Sequence, residues 1–457
     1  MRKFLLLFAL CAPIAVLLGG CSGTNSSQNG GGGAQSGSVF VVGEDAPLPS
    51  VVSFNITLKS ITLNNSSTTV QVLSQPTTVD FGKLMGLRSL LAFNAVPPGT
   101  YTSATFTLAS PVISYLNTST NPPSLTTLNG TLTSSTVTVA FPSGNPMVVS
   151  NNQLAGLHMD FDLHQSLATD NSGNITGTVT PVIDITAVSA SDKLGKITEF
   201  VGSVLSLNTS ANSFSVQGPY GFQRTIDVTN QTQYNGTFSL ASISVNAIVA
   251  LEGILQADGS ILASSVEVIT SNQAFISGRV LAVSPGPVVT MFVGEELPDL
   301  SPSIPVDSVY TVDLSGLSSN DYEICFFENL FTQGLFDRSS LVQGQRILVG
   351  GTYQSGAFTP AMVSLRLQGL WGSLVQGSVA IANPPNQGSF QLDNDFMSYL
   401  VGGPFTVRTF NGTDFLNLNG LSQLANAGST HVVAVGLVFN NGQNLPVADV
   451  GVVAVRP

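Results

Sequence analysis

The chain has 457 residues, a formal charge of -12 and only 9% charged side chains, against roughly 25% in an ordinary soluble domain. That length exceeds a single core and suits three or four domains. An acidic chain repels phosphate backbones, which excludes nucleic acid as a partner. With so few charges the exposed faces must be built from hydroxyls and amides, and the many Val, Ile, Thr and Phe residues favour strands over helices.

The chain opens with Arg2 and Lys3 followed by an apolar run over residues 4–18, the layout of a secretory signal. The run is too short and wrongly flanked for a spanning helix. It ends in Leu18-Gly19-Gly20-Cys21, which resembles the lipobox of bacterial lipoproteins, where the Cys sulfur takes a diacylglycerol and the preceding peptide is cut. The resemblance implies a signal peptide over 1–20, lipidation at Cys21 and the lipid bilayer as a partner through it. Ser22, where an Asp would resemble the inner-membrane retention signal, implies an outer-membrane address on the periplasmic or cell-surface face. Loss of Arg2 and Lys3 with the leader takes the charge from -12 to -14. Residues 21–38, with Gly30 to Gly33, read as a flexible tether. Cys11 leaves with the leader and Cys21 carries lipid, so Cys325 stands alone and no internal disulfide is expected. Beside Phe326 and Phe327 it reads as a buried, inert thiol.

From residue 39 to 189 short alternating segments dominate. Phe54, Ile56 and Leu58 share one face, the pattern of a half-buried strand. Residues 70–73, 78–81, 101–108, 131–141 and 179–188 read similarly, with Pro, Gly and Asn clusters between them, and 83–93 reads as a short helix. Together they predict an antiparallel β-sandwich. Val79-Asp80-Phe81-Gly82-Lys83-Leu84, Val96-Pro97-Pro98-Gly99-Thr100-Tyr101 and Asp160-Phe161-Asp162-Leu163 resemble, in that order, an uncharacterised domain family of bacterial lipoproteins. The stretch 39–47 and Pro181-Val182-Ile183 extend the resemblance. It implies a transthyretin-like or carbohydrate-binding-like sandwich and supplies no catalytic residue.

After a linker near 189–196 the chain repeats itself. Gly202-Ser203-Val204, Gly278-Arg279-Val280 and Gly377-Ser378-Val379 open three copies, over 197–271, 274–369 and 370–457. Each closes with a hairpin, turning at Asp258-Gly259, Ser355-Gly356 and Asn441-Gly442. Before each hairpin a short segment, 240–246, 339–344 and 421–428, suits one helical turn. The middle copy carries an acidic, aromatic insertion within 295–336. The fold class expected is all-β: a sandwich followed by three small OB-like β-barrel repeats. The repeats also resemble a second uncharacterised family of small bacterial β-domains.

On a strand, His158, Asp160, Asp162 and His164 would line one face. Two readings are open: ligands for a divalent metal cofactor, or a wet polar face opposite a dry core face. Tyr322, Phe326 and Phe327 read either as a docking patch or as an element packed on its own barrel. Trp371 reads as inter-domain packing or a sugar-stacking ring. Asp393-Asn394-Asp395 reads as a polar turn in preference to a calcium loop. No nucleophile elbow, phosphate loop, zinc-protease helix or dinucleotide fingerprint is present. The expected function is therefore a non-enzymatic, membrane-anchored binding or scaffold module. Its expected partner is a glycan or an envelope protein, with a carbohydrate-binding protein or a metal-binding sandwich as the alternatives.

Overall fold

Apolar residues at every second position build most of the described residues as strands. The computed structural model describes residues 36–456 except 47, 49, 85, 118–123, 172–173, 219–221, 236–237, 271–273, 326–331, 333, 384, 394–402, 429, 441 and 443–445. The leader, Cys21 and most of the tether lie outside the described residues, as do Phe326 and Phe327. The elements of the N-terminal part are β1 (Gly37–Ala46), β2 (Val51–Asn64), β3 (Thr77–Asp80), β4 (Ser89–Val96), β5 (Ser103–Asn117), β6 (Ser124–Asn129), β7 (Thr136–Ala140), β8 (Leu154–Asp162), the one-turn helix α1 (Leu163–Ser166) and β9 (Ile183–Val188).

They stack as two main sheets. One has the order β9-β8-β1-β4; the other runs β7-β5-β2, with β3 paired to β2 and β6 to β5. The ladders of these strands are antiparallel except β1 with β8, which is parallel. Val39 and Val41, Phe54 and Ile56, Phe106 and Leu108, and Leu157, Met159 and Phe161 fill the space between the sheets. The Phe161 ring sits 5.3 Å from Phe54 and 5.1 Å from Phe81. Phe40 and Val42 turn the other way and join the core of the first barrel. Strand β1 is thus buried on both faces, which is why residues 39–42 form an unbroken apolar run.

The Asp80-Phe81-Gly82 motif has a structural job. Asp80 Oδ1 accepts the backbone N–H groups of Phe54 at 2.8 Å and Gly82 at 3.0 Å, tying β2 to the turn that follows. Burial pushes the Asp80 carboxyl up to about 6, with Lys83 opposing and Asp307 adding to the rise. The helix expected over 83–93 does not form. The chain turns at Gly86 (φ +65°) and residues 89–96 pair with β1. Leu90 and Leu91 then enter different cores on opposite faces. Two-sided burial beside β1 rewards the period-2 conformation and overrides local helix propensity.

The C-terminal part repeats one unit: a three-strand meander, a single helical turn and a hairpin. The first copy is β10 (Ile197–Asn208), β11 (Ser213–Gln217), β12 (Gln223–Asp227), β13 (Ile248–Leu255) and β14 (Ile261–Thr270). The second is β15 (Ala274–Ser284), β16 (Val288–Leu297), β17 (Ser308–Asp313), the short β18 (Tyr322–Ile324), β19 (Arg346–Gln354) and β20 (Ala357–Leu365). The third is β21 (Gln368–Leu374), β22 (Gln387–Asp393), β23 (Phe405–Leu416), the helix α2 (Leu421–Ala425), β24 (His431–Phe439) and β25 (Val447–Arg456). In the first and third copies the third strand pairs in parallel with the fifth, closing a five-stranded ring of OB-like order. In the second, among the described residues, no ladder joins β17 to β20; β18 runs parallel beside β20, as Gln233–Tyr234 does beside β14 in the first copy. The single turns at Leu240–Ser242, Arg338–Ser340 and Leu421–Ala425 fall where the repeat predicts them. The hairpin glycines Gly259, Gly356 and Gly442 have φ of +89°, +82° and +74°, values an L side chain rarely adopts.

One opening glycine differs from the expected one. The third copy opens at Gly372, not Gly377, which has φ +75° and lies beyond β21. A Cβ built on Gly202, Gly278 or Gly372 would stand 2.3, 1.8 or 2.6 Å from the carbonyl oxygen of Gln217, Phe292 or Asp393. Gly372-Ser373-Leu374 and Gly377-Ser378-Val379 carry the same local pattern, and only the first lies on a strand paired with its neighbours.

Candidate functional site

The polar face of β8 looks toward another part of the chain. It forms one wall of a cleft of about 470 Å³ whose opposite wall belongs to the third barrel. Register sets the polar wall: Glu44 on β1 pairs with Asp160 on β8, and Asp160 with Asp184 on β9. Strands lie about 4.8 Å apart, so three carboxylates stand in a row across three strands. Like charges directly opposite each other repel, and two groups answer them. His158 Nε2 lies 2.9 Å from Glu44 Oε2, and Arg88 Nη1 lies 3.6 Å from the same oxygen. Arg88 Nε also donates to the Lys196 carbonyl at 3.2 Å, fixing the guanidinium from the linker side. Glu44, His158 and Asp160 are buried and Asp184 is exposed, so the row runs from the interior to the mouth. The far wall is apolar, with Phe415, Val433, Val435, Val452 and Ala454.

This arrangement splits the expected row of four. His158 and Asp160 line the cleft. Asp162 instead caps α1, its Oδ1 accepting the Gln165 backbone N–H at 2.8 Å and its Oδ2 the Gln165 side-chain amide at 2.6 Å. His164 has left the strand and lies, exposed, on α1. The alternation ends because Asp162 starts a helical turn. Among the described residues no cluster of three or more His, Cys, Asp or Glu side chains is placed to hold a metal ion. The four side chains do not converge: His158 and Asp160 face the cleft, while Asp162 and His164 belong to the turn that follows β8. Glu44 and Arg88 escaped sequence reasoning because nothing local links residues 44, 88, 158 and 184.

The other expected residues are also placed. Tyr322 is buried in the second barrel's core, edge-on to Phe336 at 5.8 Å, so it is not a docking surface. The cause is the pairing of β18 with β20, which draws it inward. Cys325 is buried and in no disulfide. Trp371 is buried at the junction of the sandwich and the third barrel, stacked on His431 with ring centres 5.2 Å apart and planes at 15°. A second cavity, about 480 Å³, opens on the third barrel beside Ile381, Thr409 and Phe410. Its guanidinium, Arg408, is already held by Asp449 at 2.6 Å.

Fold and cleft define an all-β protein in which a sandwich carries OB-like barrels and shares a ligand-sized cleft with one of them. Comparison with known families agrees with that division. A domain of unknown function (DUF4382) matches residues 36–181, and a second (DUF5666) matches residues 201–267. The first covers the sandwich up to, but not including, β9, and the second most of the first barrel. No curated protein matches the chain. Among solved structures, a 1.0 Å structure of a CusF variant with Cu(II) from Escherichia coli is 14% identical, covering 15% of this chain and 88% of its own at a TM-score of 0.13. A crystal structure of Ag(I)CusF is 15% identical, covering 16% of this chain and 96% of its own at a TM-score of 0.14. At those scores neither bears on what this chain binds.

Proposed function

We propose that this chain is a bacterial envelope lipoprotein, acylated at Cys21 and held at the outer membrane, whose β-domains form a non-enzymatic binding module. The sequence supports the anchor: a basic start, an apolar run and Leu18-Gly19-Gly20-Cys21. Cys21→Ala is expected to move the protein from the membrane pellet to the soluble fraction on fractionation. A variant that stays in the pellet rules out the lipid anchor.

The binding reading rests on the cleft. One wall offers three carboxylates against one guanidinium, and the other offers aliphatic side chains and Phe415. Polar acceptors facing an apolar wall suit a ligand with many hydroxyl donors and a hydrophobic face. A carbohydrate has both. Its hydroxyls would donate to Asp160 and Asp184 while its ring lies against Val433 and Phe415. Glycan-array screening followed by isothermal titration tests this reading. The expected result is a glycan that binds the wild type and binds Asp160→Asn/Asp184→Asn at least tenfold more weakly, with an unchanged melting curve. An array without hits, or equal affinity for the double variant, overturns it.

A further inference from the structure

Two of the chain's three histidines, from domains far apart in sequence, meet beside its single tryptophan. His164 on α1 and His431 at the start of β24 have ring centres 6.3 Å apart. Trp371 stands 6.0 Å from the first and stacks on the second. Both imidazoles are exposed. Their frame is fixed: Asp162 and Gln165 hold the turn that carries His164, and Trp371 packs on Val433. His431 pairs in register with Ser373 and Arg456. His158 differs, since its Nε2 is taken by Glu44. Among the described residues no hydrogen bond or ion pair is recorded for the ring nitrogens of His164 and His431.

We propose that His164 and His431 form a binding site for a late first-row divalent cation, Cu(II) above the others, with Trp371 as its wall. Imidazole nitrogens bind such ions at about 2 Å. Ring centres 6.3 Å apart leave room for one ion between them with the imidazoles on opposite sides, as in the tetragonal geometry Cu(II) favours. Water completes the coordination, because the site lies at the surface and supplies two protein ligands. Among the divalent ions affinity follows the usual order, in which Cu(II) exceeds Ni(II) and Zn(II). The site uses neither Asp160 nor Asp184, so it stands or falls separately from the carbohydrate reading of the cleft.

Because Trp371 is the sole tryptophan, its fluorescence reports this site alone. Titrating the purified full chain with Cu(II) is expected to quench most of that emission, saturating at one ion per chain. His164→Ala and His431→Ala should each weaken binding at least tenfold. Trp371→Phe should keep the Cu(II) signal in electron paramagnetic resonance, with nitrogen hyperfine structure from two imidazoles, which separates ligation from packing. Non-saturating quenching, or a wild-type titration curve in His164→Ala or His431→Ala, overturns the proposal.

Discussion

Replacing Arg366 with Met is expected to lower stability by about 3–5 kcal/mol, the cost of leaving a buried charge without its partner. Arg366 is 4% exposed and forms an ion pair with Glu267, 1% exposed, across the boundary between the first and second barrels. Ser364 Oγ donates to the other Glu267 oxygen at 2.9 Å. Glu323, on β18, pairs in register with Ser364 and faces the same carboxylate. Without the guanidinium, Glu267 keeps a hydroxyl donor and loses its counter-charge. The fall should appear as a lower urea midpoint with an unchanged slope.

The same cluster sets a pH dependence. Burial first, then the Glu267 charge, pushes the Glu323 carboxyl from 4.5 up to about 8, with Arg366 opposing. The native state therefore keeps a proton that the unfolded chain releases, so this group's contribution is full below pH 4.5 and lost as pH rises through about 8. Glu323→Gln should flatten stability over that window, and Arg366→Met should steepen it. A midpoint shift for Arg366→Met that is equal at pH 4 and pH 9 would show that the loss is packing alone.

Gly278→Ala is expected to cost about 3 kcal/mol or more, at or beyond the upper end for overpacked sites. The new Cβ would meet the Phe292 carbonyl oxygen at 1.8 Å, and backbone cannot rotate out of the way as a side chain does. Gly278 lies at a bulge in the β15–β16 ladder, where the strand bends around its barrel. Gly253, Gly351 and Gly436 sit at matching bulges on the fourth strands, facing the carbonyls of Leu262, Thr359 and Asp449. Gly316→Ala is the control: it has open space around it and should change stability by less than about 0.5 kcal/mol. Equal melting temperatures for the two variants would refute the contact reading.

Much of the fold was legible. Alternation at Phe54, Ile56 and Leu58 placed a strand, and the Gly pairs and hairpin turns placed three related copies. The places where local pattern misled are instructive. Gly377 mimicked an opening glycine because three residues cannot show which of two similar segments finds partners. Residues 83–93 looked helical because sequence alone does not show that β1 offers them an edge. Tyr322 looked like a docking aromatic until its pairing with β20 turned it inward.

The site was less legible, and for one reason. His158 and Asp160 stood out on a polar face, yet what that face meets depends on Val433 and Val452, more than 250 residues away. By itself the sequence determined strand periodicity and turn positions, because each depends on neighbours within a few residues. Only the tertiary structure decided that the polar face is a cleft wall, that Glu44 and Arg88 share it, and that His164 meets His431. Those contacts follow from how whole sheets pack, and no local pattern encodes that.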